Sequence, residues 1–122
     1  MAYIHAEGYS ANSLKHGPFA MLSEESTAIL LIDKSNFKTV FDVYEQIKCR
    51  TENILIITDC PELNNEISNN NKNIKNSVTI PYNETYKSIL FIIVLQYIAY
   101  KLAVDNNINP DFPRNLAKVV TV

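Results

Sequence analysis

Two polar stretches at opposite ends of the chain hold the residues best suited to chemistry. They are Ser13-Leu14-Lys15-His16-Gly17-Pro18 and Pro113-Arg114-Asn115-Leu116-Ala117-Lys118. An imidazole such as that of His16 is the usual side chain for giving and taking a proton near neutrality. The Lys118 amine can attack or polarise a carbonyl. Each signal is weak alone, because a solitary histidine in a turn also serves as an ordinary solvated or structural residue. The only other histidine, His5, sits in a stretch with no evident partner. Two histidines so far apart, with no ligand spacing between them, match no metal pattern, so no metal and no cofactor are assigned.

The rest of the chain must position those two stretches. At 122 residues it has room for one domain with one hydrophobic core. With 47% hydrophobic and 20% charged residues, the balance is that of an ordinary globular protein. Eleven basic against thirteen acidic side chains leave a formal charge of -2, which offers no broad attraction to nucleic acid or anionic lipid. Cys49 and Cys60 lack the density of a disulfide scaffold and the spacing of a zinc site, and are expected as reduced thiols in a cytoplasmic protein. No signal peptide is evident from residue 1 to residue 17. The most apolar run, residues 89–95, is expected as part of a buried helix, being well short of the roughly 20 residues of a membrane span.

Hydrophobic periodicity gives the elements. Residues 2–9 are expected as a short helix or the end of a longer one, and residues 13–18 as a polar break closed by Gly17-Pro18. A short helix starting at Pro18 is expected next. The run Thr27-Ala28-Ile29-Leu30-Leu31-Ile32, stopped by Asp33, predicts a strand covered on both faces. Phe37, Val40, Phe41, Tyr44 and Ile47 recur every three or four residues and predict an amphipathic helix over residues 36–50, capped by Ser35 or Asn36. Residues 54–58 predict a second buried strand, completing a βαβ unit and hence a parallel sheet. Residues 62–67 are at most a short helix, and residues 68–76, with five asparagines, a surface loop. A third short strand is expected over residues 77–80. The longest helix follows over residues 86–106, apolar on nearly every turn and so expected to be buried on two sides, against the sheet and a partner subunit. Only Gly8 and Gly17 are glycine, so no glycine-rich phosphate loop can be drawn.

Taken together, Tyr3-Ile4-His5-Ala6-Glu7-Gly8-Tyr9, Leu14-Lys15-His16-Gly17-Pro18 and Pro113-Arg114-Asn115-Leu116-Ala117-Lys118-Val119-Val120-Thr121-Val122 resemble one family. They look like the C-terminal isomerase portion of glutamine:fructose-6-phosphate amidotransferase, also called glucosamine-6-phosphate synthase. The resemblance covers essentially the whole chain but only part of the family's protein. It implies a sugar isomerase (SIS) fold, a three-layer α/β arrangement of a parallel sheet flanked by helices, here N-terminally truncated. Residues 1–122 are then a partial SIS domain, with an active-site tail at residues 113–122.

The resemblance also implies roles. His16 falls on the histidine that opens the sugar ring and reaches the site from a neighbouring subunit. Lys118 falls on the lysine that engages the open-chain carbonyl, and Ala117 beside it lies in the same substrate-closing segment. Glu7, Lys15 and Arg114 are supporting residues, with Glu7 in a structural or helix-end role. The family's proton-shuttling glutamate falls upstream of residue 1, as do its preceding SIS domain and glutaminase domain. Ser13 stands where the family usually has an acidic residue, and Val119 where it has a serine. The chain alone is therefore expected to show no isomerase activity.

Three functions stay open at this point. The chain could be the sugar-phosphate-binding part of an enzyme of amino-sugar synthesis. It could be a non-catalytic SIS module that forms a homodimer or docks on a full-length relative. It could also be an unrelated small α/β domain. No nucleic acid or membrane partner is expected under any of them.

Overall fold

The computed structural model describes residues 2–61, 76–112 and 114. Its centre is a three-stranded sheet in the order β1-β2-β3, formed by Ala28–Ile32 (β1), Ile54–Thr58 (β2) and Asn76–Thr79 (β3). Both pairings are parallel, with Leu30 opposite Ile56 and Ile56 opposite Ser77. The predicted βαβ unit is therefore present, and the fold class is α/β. The crossover helix is Phe37–Ile47 (α1), and a second helix spans Lys87–Asp105 (α2). The expectations of at most a short helix over residues 62–67 and of an asparagine-rich loop over residues 68–76 fall outside the described residues, apart from Asn76, which opens β3.

Two compact units make up the described chain, one drawn from residues 8–91 and the other from residues 1–7 and 92–122. The first holds the sheet. Val40, Val43, Tyr44 and Ile47 occupy one side of α1 and join Leu30, Ile32, Ile54 and Ile56 in a single core cluster. Burying each such side chain contributes about 1.5–3 kcal/mol. Among the described residues β1 is covered on one face: Leu30 and Ile32 are buried, whereas Ile29 and Leu31 are exposed. The sequence expectation of burial on both faces holds better for β2, the middle strand, where Ile56 and Ile57 are both inaccessible.

Three expectations are corrected. Residues 2–9 form no helix, and Tyr3 adopts φ 53°, a left-handed conformation that a right-handed helix cannot contain. The stretch expected as a polar break contains one turn of 3-10 helix, Ser13–His16, in which Leu14 packs against the core cluster. The third concerns α2, of which only Phe91 and Ala103 are buried among the described residues. Ile89, Ile92, Ile93, Tyr97, Tyr100 and Val104 are all exposed. Apolar character at nearly every turn marked these side chains as covered by the sheet and a partner subunit, whereas they are exposed among the described residues. At 19 residues and a mean hydropathy of 1.7, α2 is also long and apolar enough, by length and composition alone, to cross a membrane.

The ends of α2 follow from its sequence. Before it, the Asn83 side-chain oxygen accepts from the N–H groups of Thr85 and Tyr86, at 3.1 and 2.9 Å. After it, Asn107 takes φ 56° while Ile108 N–H donates to Ala103 O and Asn107 N–H to Val104 O. This is a Schellman stop with asparagine in the left-handed position.

Candidate functional site

In the unit that holds the sheet, Lys15 and His16 are exposed on a short arm pinned at both ends. Leu14 and Phe19, partly buried, pack against the core on either side of them. Arg50 adds a contact over the Phe19 ring, 5.0 Å from its centroid. Between the two anchors the chain reverses at Gly17, whose φ of 132° strains any residue with a Cβ. The next 3-10 turn, Pro18–Met21, starts with proline as expected. The anchored turn holds the His16 backbone while leaving its side chain in solvent.

A second polar cluster lies at the carboxyl ends of the strands, where ligands of open parallel α/β sheets commonly bind. Asp33 directly follows β1 and Asp59 directly follows β2. The Asp33 carboxylate accepts from the N–H groups of Ser35 and Asn36, at 2.7 and 2.9 Å, and pairs with the Lys87 ammonium at 3.3 Å. The Asn36 side-chain oxygen accepts from Asp33 N–H in return, at 2.9 Å, so the two residues brace the turn that leads into α1, whose N-cap is Asn36 without a side-chain capping bond. Burial alone pushes the Asp33 carboxyl up. The hydroxyl of Ser35, the two backbone N–H groups and Lys87 outweigh it and hold the group below its ordinary 3.8. The bond to Asp33 in turn raises the Lys87 amine.

Because Asp33 has a lowered folded value, it stabilises the fold fully above its unfolded value of 3.8, and that contribution is lost as pH falls through the folded one. Asp33→Asn should therefore lower the urea midpoint at neutral pH. The gap to wild type should shrink as acid titrations pass below about pH 4.

Asp59 is 3% exposed. Its Oδ1 accepts from Lys34 N–H at 3.1 Å and the Cys60 thiol at 3.3 Å, while its buried Oδ2 has no partner among the described residues. Sequence reasoning passed over Asp33 as a strand stop and singled out no role for Asp59. The signal was available, since each is an acidic residue set directly after an apolar strand, at the end of a parallel sheet where sites form. Neither Cys49 nor Cys60 forms a disulfide among the described residues. No group of three or more His, Cys, Asp or Glu that could hold a metal occurs among the described residues.

In the other unit, an open cleft of about 660 Å³ is lined by Tyr3, Asn107, Asn109, Phe112 and Arg114, among others. The Arg114 guanidinium lies 4.2 Å from the Tyr3 ring centroid, and Arg114 N–H donates to the Tyr3 hydroxyl. Glu7 pairs with His5, Oε1 to Nε2, at 3.0 Å on the surface. Of the candidate residues, Lys15 and His16 thus belong to the first unit, and Glu7 and Arg114 to the second. Ala117 and Lys118 lie outside the described residues.

Comparison with known proteins supplies the relatives. A probable glutamine–fructose-6-phosphate aminotransferase [isomerizing] of Acanthamoeba polyphaga mimivirus is 40% identical over 100% of this chain and 19% of its own length. The glutamine–fructose-6-phosphate aminotransferase [isomerizing] of Thermococcus kodakarensis is 39% identical over 100% of the chain and 19% of its own length. A rat enzyme, glutamine–fructose-6-phosphate aminotransferase [isomerizing] 1, is 34% identical over 100% of the chain and 18% of its own length. The chain thus spans about a fifth of the length of these relatives. The SIS domain model matches residues 1–105, which include the anchored His16 turn, all three strands and α2, and the chain belongs to the SIS domain family.

Proposed function

We propose that this chain is the part of a glucosamine-6-phosphate synthase that carries the ring-opening histidine and the carbonyl-binding lysine of the isomerase site. In the assembled enzyme it would help convert fructose 6-phosphate and glutamine-derived ammonia to glucosamine 6-phosphate. The observation that carries this reading is the match, along the whole chain, to relatives named as isomerizing aminotransferases. The solvent-facing His16, held on its anchored turn, is consistent with it.

The chemistry suits the residues. Opening the cyclic hemiketal requires a proton at the ring oxygen and removal of one from the anomeric hydroxyl, which one imidazole of near-neutral pKa can perform in turn. The Lys118 amine can then polarise the freed C2 carbonyl or condense with it, releasing water. Moving the carbonyl from C2 to C1 needs a carboxylate, which the reading assigns to the rest of the assembly. Ala117, next to Lys118, would line the closed substrate, while Lys15 and Arg114 would support the two segments. The test is to mix this chain with a polypeptide that supplies the glutaminase and remaining isomerase parts but lacks this region, and to assay glucosamine 6-phosphate. Activity that requires both components is expected; none with both present would contradict the reading.

A second reading, a non-catalytic module that dimerises or docks on a full-length relative, is favoured by α2. Ile89, Ile93, Tyr97, Tyr100 and Val104 follow one another at spacings of three and four along one side of the helix, each between 42% and 63% exposed. Tyrosine suits a protein interface, where its ring is covered and its hydroxyl can find a partner. Gln96 and Lys101 in the same helix fit a protein-facing role better than a lipid-facing one. Sedimentation at micromolar concentration should then show self-association that Tyr97→Ser weakens. A clean monomer would count against a homodimer.

A further inference from the structure

The two outer strands of the sheet differ in kind. β3 presents Asn76, Ser77 and Thr79, whereas β1 is Ala28-Ile29-Leu30-Leu31-Ile32, with no charge and no proline. Charges and prolines are the usual means by which an exposed edge avoids pairing with another chain, and β1 carries neither. The direction of its backbone groups follows from Ala28, whose N–H donates to Asn53 O across the ladder with β2. Alternation then turns the N–H and C=O of Leu30 and Ile32 toward β2 as well, and those of Ile29 and Leu31 outward. Among the described residues no strand lies on that side, and the Leu31 carbonyl meets the Asn36 side-chain nitrogen at a long 3.5 Å. Ile29 and Leu31 also carry the side chains of the uncovered face, 39% and 36% exposed.

We propose that β1 pairs edge to edge with β1 of a second copy of this chain, antiparallel about a two-fold axis at Leu30. A second copy is the occupant because β1 complements itself. In this register Ile29 of each copy lies opposite Leu31 of the other, and each such pair exchanges N–H···O bonds in both directions. Opposite residues share a face, so the isoleucines and leucines of the two copies cover one another on the open side of the sheet. Charge selects the register. Continued past the strand ends, it sets Thr27 opposite Asp33 and Ser26 opposite Lys34, and no like charges meet. The neighbouring registers that keep Ile29 and Leu31 facing the partner set Glu25 against Asp33, or Ile29 against Asp33. The pairing uses neither α2 nor the sugar-phosphate reading.

The experiment is sedimentation equilibrium of the full chain over a concentration series, with amide hydrogen exchange on the same samples. The wild type should dimerise, and exchange at Ile29 and Leu31 should slow as concentration rises, while Leu30, already bonded to β2, changes far less. Ile29→Lys/Leu31→Lys sets lysine opposite lysine and should weaken the dimer by about tenfold or more. Ile29→Lys/Leu31→Glu sets lysine opposite glutamate in the proposed register and like charges opposite one another in its neighbours, so it should recover most of that loss. Both positions are exposed, and the circular dichroism of both variants should match the wild type. Tyr97→Ser should leave the protection of Ile29 and Leu31 unchanged. Undiminished dimerisation of Ile29→Lys/Leu31→Lys would overturn the proposal, as would equal loss in the two double variants. Dissociation by Tyr97→Ser alone would give the contact to α2 instead. A monomeric wild type whose Ile29 and Leu31 amides slow only when the polypeptide supplying the remaining isomerase parts is added would give the edge to that polypeptide and equally overturn it.

Discussion

Replacing Ile56 with alanine should cost the chain about 2–5 kcal/mol of unfolding free energy, the usual range for cutting a fully buried isoleucine back to its Cβ. Ile56 is wholly inaccessible and sits in β2, the strand that pairs on both sides, opposite Leu30 and Ser77. It belongs to the same cluster as Val43, Tyr44 and Ile47 of α1. Its partners in that cluster are themselves buried, so a cavity cost is expected to add to the lost burial. Against a total stability of about 5–15 kcal/mol for ordinary domains, such a loss removes a large share of the folded population's margin. Ile93→Ala is the matched control, because Ile93 is 54% exposed and should change stability by no more than about 0.5 kcal/mol. Urea titration of both variants checks the contrast. Equal losses would mean that the sheet is not the centre of the fold.

His16→Ala should lower the rate of glucosamine 6-phosphate formation in the complemented assembly by roughly 10²–10⁴-fold, the usual worth of a positioned general acid-base group. The loss should fall on turnover more than on the Michaelis constant, because the imidazole is asked to move protons during ring opening rather than to hold the sugar. An exposed side chain on an anchored turn can be removed at little structural cost, so the urea midpoint should stay near wild type. Lys15→Ala, one residue earlier and equally exposed, should do much less if its role is support. Equal, small effects of both variants would remove the histidine from the reaction.

Much of the scaffold was legible in the sequence because its signals are local. The β-prone runs at residues 27–32 and 54–58 and the three-and-four spacing from Phe37 to Ile47 each led to the element observed, within a residue or a few at the ends. The failures share a cause: they turn on what lies next to a segment in space. Tyr3, Ile4 and Ala6 look helical in a linear reading, yet Tyr3 is diverted to φ 53° and engages Arg114, 111 positions away. The apolar side chains of α2 suggested double burial, but Ile89, Ile93 and Tyr97 are exposed among the described residues. Asp33 passed as punctuation and Asp59 drew no reading, because their meaning comes from the parallel register that sets the ends of β1 and β2 side by side. The candidate site was legible only through motif order, since His16 and Lys118 lie too far apart for spacing to relate them.

The most direct measurement is reductive trapping of the full chain with fructose 6-phosphate and borohydride, followed by mass mapping of every lysine. An amine that condenses with the open-chain ketone forms an imine that borohydride converts to a stable secondary amine. The account predicts a single sugar-phosphate adduct on Lys118, sharply reduced in His16→Ala if that residue supplies the open-chain form. Adducts spread over the surface lysines without preference for Lys118, or none at all, would contradict it.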